Sequence, residues 1–281
     1  MLPSCCALCG SPLPLLSTVP ICDACWTEFP VDDEPVCSRC GDVLRPLDSA
    51  SSTCRPCRLA PPPFVRAVSY GPYQGRMRDA IHALKYEGLM PAACRLGRML
   101  GRAIGELAAE APSGMLVTPV PLHRSKLALR RFNQARLLAG HALAGLRKTH
   151  PGWRLVLASS TVVRQRATDS QAGLTPRQRR KNVRGAFVVP DPQAVTGRNV
   201  LVIDDIMTTG ATARSVAQVL LRAGASNVWI ATLARARRAF GDCGGVNPIY
   251  SHRDSQKATG TGLAGHEPFP GRQTETDQPS F

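Results

Sequence analysis

A chain of 281 residues with 43% hydrophobic residues is long enough for one or two domains and can bury one sizeable core. No apolar run approaches the roughly 20 residues of a membrane span, and the first ten residues lack the basic and apolar regions of a secretory signal, so we expect a cytosolic protein without a membrane span. The net charge of +15 is concentrated in residues 121–188, which hold 15 Lys or Arg residues and one acidic residue. Such concentration favours a phosphate-rich ligand, small or polymeric.

Four C-x-x-C pairs occupy the first 57 residues. They are Cys6/Cys9, Cys22/Cys25, Cys37/Cys40 and Cys54/Cys57. In a reducing compartment this spacing is typical of zinc rather than of disulfides, because two thiolates separated by two residues can sit on one tight turn and supply half of a tetrahedral site. We therefore expect these eight cysteines to hold two structural zinc ions.

An internal repeat suggests how the four pairs combine. Residues 6–10 with Leu13 are echoed by residues 37–41 with Leu44, and each copy is followed by another pair. Two tandem ribbons are the simplest arrangement, and an interleaved cross-brace is the alternative. Because this segment is net negative before any metal is added, we expect it to act as a scaffold or a partner-docking module rather than to grip DNA alone.

Beyond a Pro-rich hinge at residues 60–63, short apolar runs alternate with helical periodicity. Helices are predicted at residues 75–85, 90–109 and 133–146, and after residue 212 through residue 221. Strands are predicted at residues 115–121, 199–203 and 228–233. The alternation implies a parallel sheet with helices on its faces.

The most informative segment is residues 204–212, directly after the apolar run 199–203. Asp204 and Asp205 should stand at the carboxyl edge of the sheet, where ligands bind in open α/β folds. The hydroxyls, Gly210 and the helix start that follow can cradle a phosphate monoester. Carboxylates would repel phosphate, so the acidic pair should face neutral hydroxyls, and the combination predicts a sugar phosphate. The alternative is an ordinary strand–turn–helix in which Asp and Thr only cap.

Residues 202–212 resemble the motif that binds phosphoribosyl pyrophosphate (PRPP) in type I phosphoribosyltransferases. Cysteine pairs followed by this motif are similar to the ComF family of competence proteins, whose further signatures have counterparts at residues 84–88, 119–123, 130–134 and 171–187. The resemblance covers about residues 1–238. One departure is Arg131, where the family often has glycine and which bears on the local loop geometry.

The resemblance implies a PRPP site with Mg²⁺. The 5′-phosphate would be held by Thr208, Thr209, Gly210, Ala211 and Thr212, the ribose hydroxyls by Asp204 and Asp205, and the pyrophosphate loop would be Pro121, Leu122, His123 and Arg124. Mg²⁺ would bridge pyrophosphate and ribose oxygens. The implied transfer passes through an oxocarbenium-like transition state and needs positioning more than a nucleophile, so no catalytic residue is assigned. Taken alone, His123 is more typical of a structural loop histidine.

A basic group flanks residues 171–174. Its members are Arg164, Arg166, Arg177, Arg179, Arg180 and Lys181. Three interpretations stay open: a solvated basic helix starting near Pro176, a mobile lid over pyrophosphate, and a track for single-stranded DNA.

The predicted organisation has four parts. A double zinc ribbon spans residues 1–60, a hinge and helical hood segment 61–112, a phosphoribosyltransferase-like domain 113–238, and a disordered tail 239–281, where periodicity ends. The expected fold class is therefore α/β, with a type I phosphoribosyltransferase-like parallel sheet.

Two functions stay open at this stage. In the first, a ComF-like protein binds PRPP or another sugar phosphate with Mg²⁺, takes part in DNA uptake, and transfers phosphoribosyl to an unknown acceptor. In the second, a non-enzymatic adaptor binds single-stranded DNA through residues 121–188 together with a competence helicase, and keeps the PRPP site as a sensor or relic. The sequence shows no acceptor pocket that would decide whether the protein is an enzyme.

Overall fold

The structure is a computed structural model that describes residues 5–14, 17–31, 34–48, 50–167 and 175–237. The predictions for residues 171–174 and for the tail from residue 239 lie outside the described residues. In the described part of the chain, no helix is long and apolar enough to cross a membrane.

A five-stranded parallel sheet forms the centre of the fold, in the order β1-β7-β6-β2-β3. Its strands are β1 (Ala67–Pro72), β2 (Gly114–Pro119), β3 (Arg154–Leu157), β6 (Asn199–Met207) and β7 (Asn227–Arg235). A separate antiparallel pair joins β4 (Val163–Arg164) to β5 (Phe187–Val188). The central position of β6 suits residues 200–203, since a strand covered on both faces needs a continuous apolar run.

The described residues form eight α-helices and three short 3₁₀ turns. The helices are α1 (Asp23–Thr27), α2 (Arg55–Leu59), α3 (Gly75–Tyr86), α4 (Ala93–Gly105), α5 (Arg124–Arg130), α6 (Gln134–Thr149), α7 (Pro176–Val183) and α8 (Ala211–Arg222). The 3₁₀ turns are Pro46–Asp48, Met90–Ala92 and Pro192–Ala194.

The helices cover both faces of the sheet, α4 and α6 on one and α8 on the other. Side chains of β6 alternate between the two layers, with Leu201 and Ile203 in the core beside α4 and α6, and Val200 and Val202 in the core beside α8. After β2 the chain runs to β3 on one side, and after β6 it runs to β7 on the other. A crevice therefore opens between the carboxyl ends of β2 and β6, the usual place for a ligand in such a sheet.

The two cysteine ribbons pack against different layers. Trp26 of the first ribbon is buried in the core that contains α3 and α4, and Arg95 of α4 lies over its ring at 4.6 Å. The cysteines of the second ribbon are buried in the other core, together with Val202 and Met207 of β6. Both ribbons and the α/β part belong to one compact unit, Met1–Phe240.

The Pro-rich segment between ribbons and sheet is held at both sides. Arg214 of α8 donates to the carbonyl groups of Ala60 and Pro61, at 3.0 and 3.3 Å. Arg39 of the second ribbon donates to the carbonyl of Pro62 at 3.3 Å. These contacts tie the segment to the α8 layer.

The structure confirms the predicted parallel sheet and the helices at α3, α6 and α8, and it places α4 within the helix predicted over residues 90–109. A helix starting at Pro176, one of the three interpretations left open for the basic group, is present as α7. The strand predicted over residues 199–203 continues to Met207. Pairing with β7 sustains this extension, since Asp204 lies opposite Thr232 and Met207 opposite Arg235. Segment 61–112, predicted as hinge and helices, also contributes the edge strand β1, which pairs in parallel with β7. The hydroxyls of Ser69 and Thr232 add a side-chain hydrogen bond of 2.7 Å between the two strands.

Arg131 is the described non-glycine residue with a left-handed backbone, at φ +64°. It ends α5, where its N–H donates to the carbonyl of Leu127 at 2.7 Å. The family resemblance placed a glycine at this position, and the structure shows why: a helix often ends on a left-handed residue, and glycine adopts that conformation without steric cost.

We expect Arg131→Gly to raise the free energy of unfolding by about 0.5–1 kcal/mol. Glycine removes the steric cost of the left-handed backbone, and this gain exceeds the cost of the extra conformational freedom that glycine loses on folding. Chemical denaturation measures the change. The matched control is Ala128→Gly inside the same exposed helix, which should lower stability by a similar amount. Equal destabilisation by both glycines would contradict the assignment of strain to Arg131.

Candidate functional site

Residues 208–210 turn the chain from the end of β6 into α8. Gly210 makes this turn with φ +75°, and the Oγ1 atom of Thr209 accepts the N–H of Ala211 at 3.4 Å. Among the residues that the structure describes, the N–H groups of Thr209 and Gly210 meet no protein acceptor. Free amide groups before a 12-residue helix are the elements of an anion site.

A cavity lies between this loop and the carboxyl ends of β2 and β6. Its lining includes Val120, Asp204, Met207, Thr208, Gly210, Ala211, Thr212 and Thr232. Five residues that the sequence predicted for a sugar phosphate thus surround one space: Asp204, Thr208, Gly210, Ala211 and Thr212. Thr209 and Asp205 are not part of this lining.

Asp204 and Asp205 are consecutive residues of β6, but their side chains have different surroundings. Asp204 lines the cavity, whereas Asp205 is 3% exposed and its Oδ2 atom pairs with the Nζ atom of Lys85 at 2.8 Å. That both carboxylates project over the sheet edge stays a prediction; Asp204 is the one that lines this cavity. Lys85 lies in the signature 84–88, for which the sequence suggested no role, and the structure identifies it as the counter-ion of Asp205.

Ionisation of Asp204, the carboxyl group that faces the cavity, is unfavourable. Burial and the neighbouring Asp205 carboxylate raise the pKa of Asp204 to about 8, although Lys85 works in the opposite direction. Burial lowers the pKa of Lys85, but attraction to Asp205 outweighs it and the net shift is upward. Lys85 therefore stays charged and is committed to Asp205, which leaves Asp204 as the carboxyl group facing the cavity.

Residues 121–124 leave the sheet beside Asp204. The N–H of Val120 donates to the carbonyl of Ile203 at 2.8 Å, and the carbonyl of Val120 accepts the side-chain amide of Asn133 at 3.0 Å. Pro121, Leu122, His123 and Arg124 are themselves absent from the cavity lining. His123 caps α5, where its Nδ1 atom accepts the N–H of Ser125 at 3.3 Å, which supports its interpretation as a structural histidine.

The cysteine sulfurs form two separate clusters. One contains Cys6, Cys9, Cys22 and Cys25, and the other contains Cys37, Cys40, Cys54 and Cys57; within each, the sulfur atoms lie within 4.8 Å of one another. This is the tandem arrangement and not the interleaved one.

The spacing of the sulfurs fits a tetrahedral metal. Sulfur–sulfur distances are 3.8 Å for Cys6–Cys25, 3.6 Å for Cys9–Cys22 and 3.7 Å for Cys40–Cys54. A zinc ion with Zn–S bonds of about 2.3 Å places its ligands about 3.8 Å apart. Four thiol ligands in this geometry are the donor set of structural zinc.

Each cluster is built on the same turn. Gly10 and Gly41 follow the first pair of their ribbon with φ +76° and +64°, and donate to the carbonyls of Cys6 and Cys37 at 2.8 and 2.9 Å. The sequence repeat is therefore a structural repeat. Cys5 is exposed and lies outside the first cluster.

Several arginines of the basic stretch are engaged within the fold. The guanidinium of Arg164 lies 5.3 Å from the ring centre of Phe187, and Arg166 donates to two backbone carbonyls of the segment 182–184. Arg179 is only 8% exposed. Most of the other Lys and Arg residues of the stretch that the structure describes are exposed.

Comparison with known proteins places this site in context. A family model described as phosphoribosyl transferase domain matches residues 135–241. The chain is 33% identical over 237 residues to the DNA utilization protein YhgH of Escherichia coli strain K12, covering 83% of this chain and 97% of that protein. It is 25% identical over 221 residues to Competence protein F of Haemophilus influenzae, covering 77% of this chain and 90% of that protein.

Among solved structures, the chain is similar to glutamine PRPP amidotransferase from B. subtilis complexed with ADP and GMP. The match has 21% identity and a TM-score of 0.29, and it covers 50% of this chain and 26% of that one. A score of this size carries no argument about the site.

The raised pKa of Asp204 predicts a pH dependence of stability. The folded pKa of about 8 lies above the unfolded value of about 3.9, so the folded state holds more protons between these limits, and stability falls as the pH rises from about 4 through 8. The slope attributable to Asp204 is at most about 1.4 kcal/mol per pH unit. Denaturation at pH 5 to 9 should show this loss in the wild type but not in Asp204→Asn; identical profiles would contradict the raised pKa.

Proposed function

Because the chain belongs to the ComF family of competence proteins, we propose that it binds PRPP with Mg²⁺ at Asp204 and residues 208–212, and that it acts in DNA uptake. The relatives are named for DNA utilization and for competence, which supports the biological part of this proposal. The phosphoribosyl transferase match supports the chemical part.

The observation that carries the proposal is the shared cavity of Asp204 and the loop. Unpartnered N–H groups of Thr209 and Gly210 suit a dianionic phosphate, and a carboxyl group across the cavity suits a neutral hydroxyl. A ligand with a phosphate at one end and ribose hydroxyls at the other satisfies both.

The chemistry that follows depends on holding PRPP in place. The loop amides would anchor the 5′-phosphate, and Asp204 would accept from a ribose hydroxyl and place negative charge near the developing oxocarbenium ion. Residues 121–124 are proposed to receive the pyrophosphate, since they leave β2 beside Asp204. When bound, Mg²⁺ supplies charge neutralisation for the pyrophosphate leaving group, and the oxygen ligands at this edge suit it.

Each cysteine cluster is proposed to hold one structural zinc. The support is the tetrahedral sulfur spacing and the burial of the second cluster. Zinc here would fold ribbons too small to form cores of their own.

Elemental analysis of the purified chain should give about two zinc ions per molecule. Cys40→Ser should retain one, because it removes a ligand from the second cluster only. Cys94→Ser is the matched control, since Cys94 lies on α4 outside both clusters, and it should retain both. A wild-type chain with one zinc or none would refute this part of the proposal.

Calorimetry with PRPP and Mg²⁺ tests the sugar-phosphate site. At pH 8.5, where Asp204 is largely ionised, Asp204→Asn should weaken binding about ten- to a hundred-fold through loss of a charge-assisted hydrogen bond. At pH 6 the two proteins should differ much less, because the wild-type carboxyl is then protonated.

Asp79→Asn is the matched control for that experiment. It makes the same change on the exposed surface of α3 and should bind PRPP like the wild type at both pH values. A wild-type protein that does not bind PRPP with Mg²⁺ at pH 8.5 would overturn the proposal and favour the adaptor function.

The adaptor function, with single-stranded DNA on residues 121–188 and a helicase partner, has less support. Arg164, Arg166 and Arg179 make contacts within the fold, which leaves the exposed Lys and Arg residues of the stretch as the cations available for a DNA track. One observation supports it: the E. coli relative is named for DNA utilization. Steep weakening of DNA binding with salt would be its signature.

A further inference from the structure

We propose that Arg235 is a positioning residue that couples the second cysteine cluster to the phosphate loop. The proposal rests on the function proposed above, because it concerns the same loop. Arg235 ends β7, is 2% exposed, and carries no signal in the sequence that would single it out.

Arg235 joins the loop on one side. Its Nη1 atom donates to the carbonyl groups of Met207, at 3.0 Å, and of Thr208. Met207 ends β6 and Thr208 is the first residue of the turn into α8. The guanidinium thus fixes the orientation of two consecutive peptide groups at the start of the loop.

Because the peptide group is planar, this contact also fixes the direction of an N–H group in the loop. In a trans peptide the C=O of one residue and the N–H of the next point in opposite directions across one plane. Holding the carbonyl of Thr208 toward the buried Arg235 therefore turns the N–H of Thr209 away from it. That N–H is one of the two loop amides without a protein acceptor.

Arg235 joins the second ribbon on the other side. Its Nη2 atom lies 3.4 Å from the Oδ2 atom of Asp42, which is 5% exposed. The carbonyl of Asp42 accepts the N–H of Cys37 at 2.7 Å, so Asp42 belongs to the turn that carries two cysteines of the second cluster.

Because Arg235 and Asp42 are buried, the loss of their ion pair should disturb the loop. A guanidinium that is taken out of water needs a compensating negative charge, and Asp42 is placed by the cysteine turn. Loss of the second cluster would release Asp42, leave Arg235 without its counter-ion, and free the peptide groups of Met207 and Thr208. The first cluster packs in the opposite core, and within the described residues no ion pair joins it to Arg235.

Hydrogen exchange on the full-length, metal-loaded chain tests the coupling without any ligand. In Arg235→Met the two hydrogen-bonded amides that the loop holds, Ala211 to the Thr209 hydroxyl and Arg214 to the Gly210 carbonyl, should exchange about tenfold faster or more, while those of α6 stay protected. Arg235→Lys, which keeps the charge, should recover part of the protection. Arg237→Met, which removes a surface arginine paired with Glu34, is the matched control and should leave the loop unchanged.

Metal removal is tested cluster by cluster. Cys54→Ser should lose one zinc and speed loop exchange, whereas Cys22→Ser should lose one zinc from the other cluster and leave the loop unchanged. Asp42→Asn should speed loop exchange while both zinc ions remain, which separates the ion pair from the metal itself. Binding of PRPP by the same variants should weaken in the same order as loop exchange rises.

The outcomes separate the two proposals. If the wild type binds no PRPP but the loop still responds to Arg235→Met and Cys54→Ser, the sugar-phosphate function fails and the coupling stands. If α6 keeps its protection and the loop amides exchange at the wild-type rate in Asp42→Asn and Arg235→Met, the coupling is overturned. Equal loop responses to Cys22→Ser and Cys54→Ser would also overturn it.

Discussion

Charge buried at the carboxyl ends of β6 and β7 is the constraint on which the rest of this structure depends. Removing carboxylate and guanidinium groups from water costs several kcal/mol per ion unless partners offset it. Asp205 meets this requirement through Lys85 of α3, and Arg235 meets it through Asp42 of the second ribbon. Both partners come from the first 90 residues, so the N-terminal part of the chain completes the edge of a sheet whose central strands lie near residue 200.

Two consecutive aspartates of β6 have different chemical environments at this edge. On the α4 and α6 side, Asp205 is neutralised by Lys85 and is enclosed. On the α8 side, Asp204 remains beside a loop of free amides and titrates at a higher pH than an ordinary aspartate. One aspartate of β6 therefore serves stability, and the other is available for a ligand.

Features that are encoded in a short stretch of sequence could be predicted. The cysteine pairs and the βα unit at residues 199–221 are each contained in a short, strongly patterned stretch, and both are found as expected. Strand β6 was predicted too short, because two aspartates disfavour a strand and only their register with β7 sustains it. Helix α5 was missed since none of its residues is buried, so its sequence carries no apolar periodicity.

The residues that complete the site lie beyond such patterns. Lys85 looks like any lysine near the end of an amphipathic helix, and Arg235 like any arginine after an apolar strand. Their roles depend on partners far away in the chain, which only the folded structure identifies. Asn133 was noticed as part of a signature, but its bond to the carbonyl of Val120 likewise required the fold.

The pairing of β1 with β7 has a consequence for the order in which the protein forms. Ser69 and its partner Thr232 are 163 residues apart, and parallel strands so distant in sequence close slowly. During synthesis the ribbons and β1 leave the ribosome long before β6 and β7 exist. Until then Lys85 cannot pair with Asp205, Asp42 cannot pair with Arg235, and β1 cannot pair with β7. The nascent chain thus carries two cysteine ribbons attached to an unfinished sheet, and β7, the last of the described strands to emerge, is the one that completes this sheet.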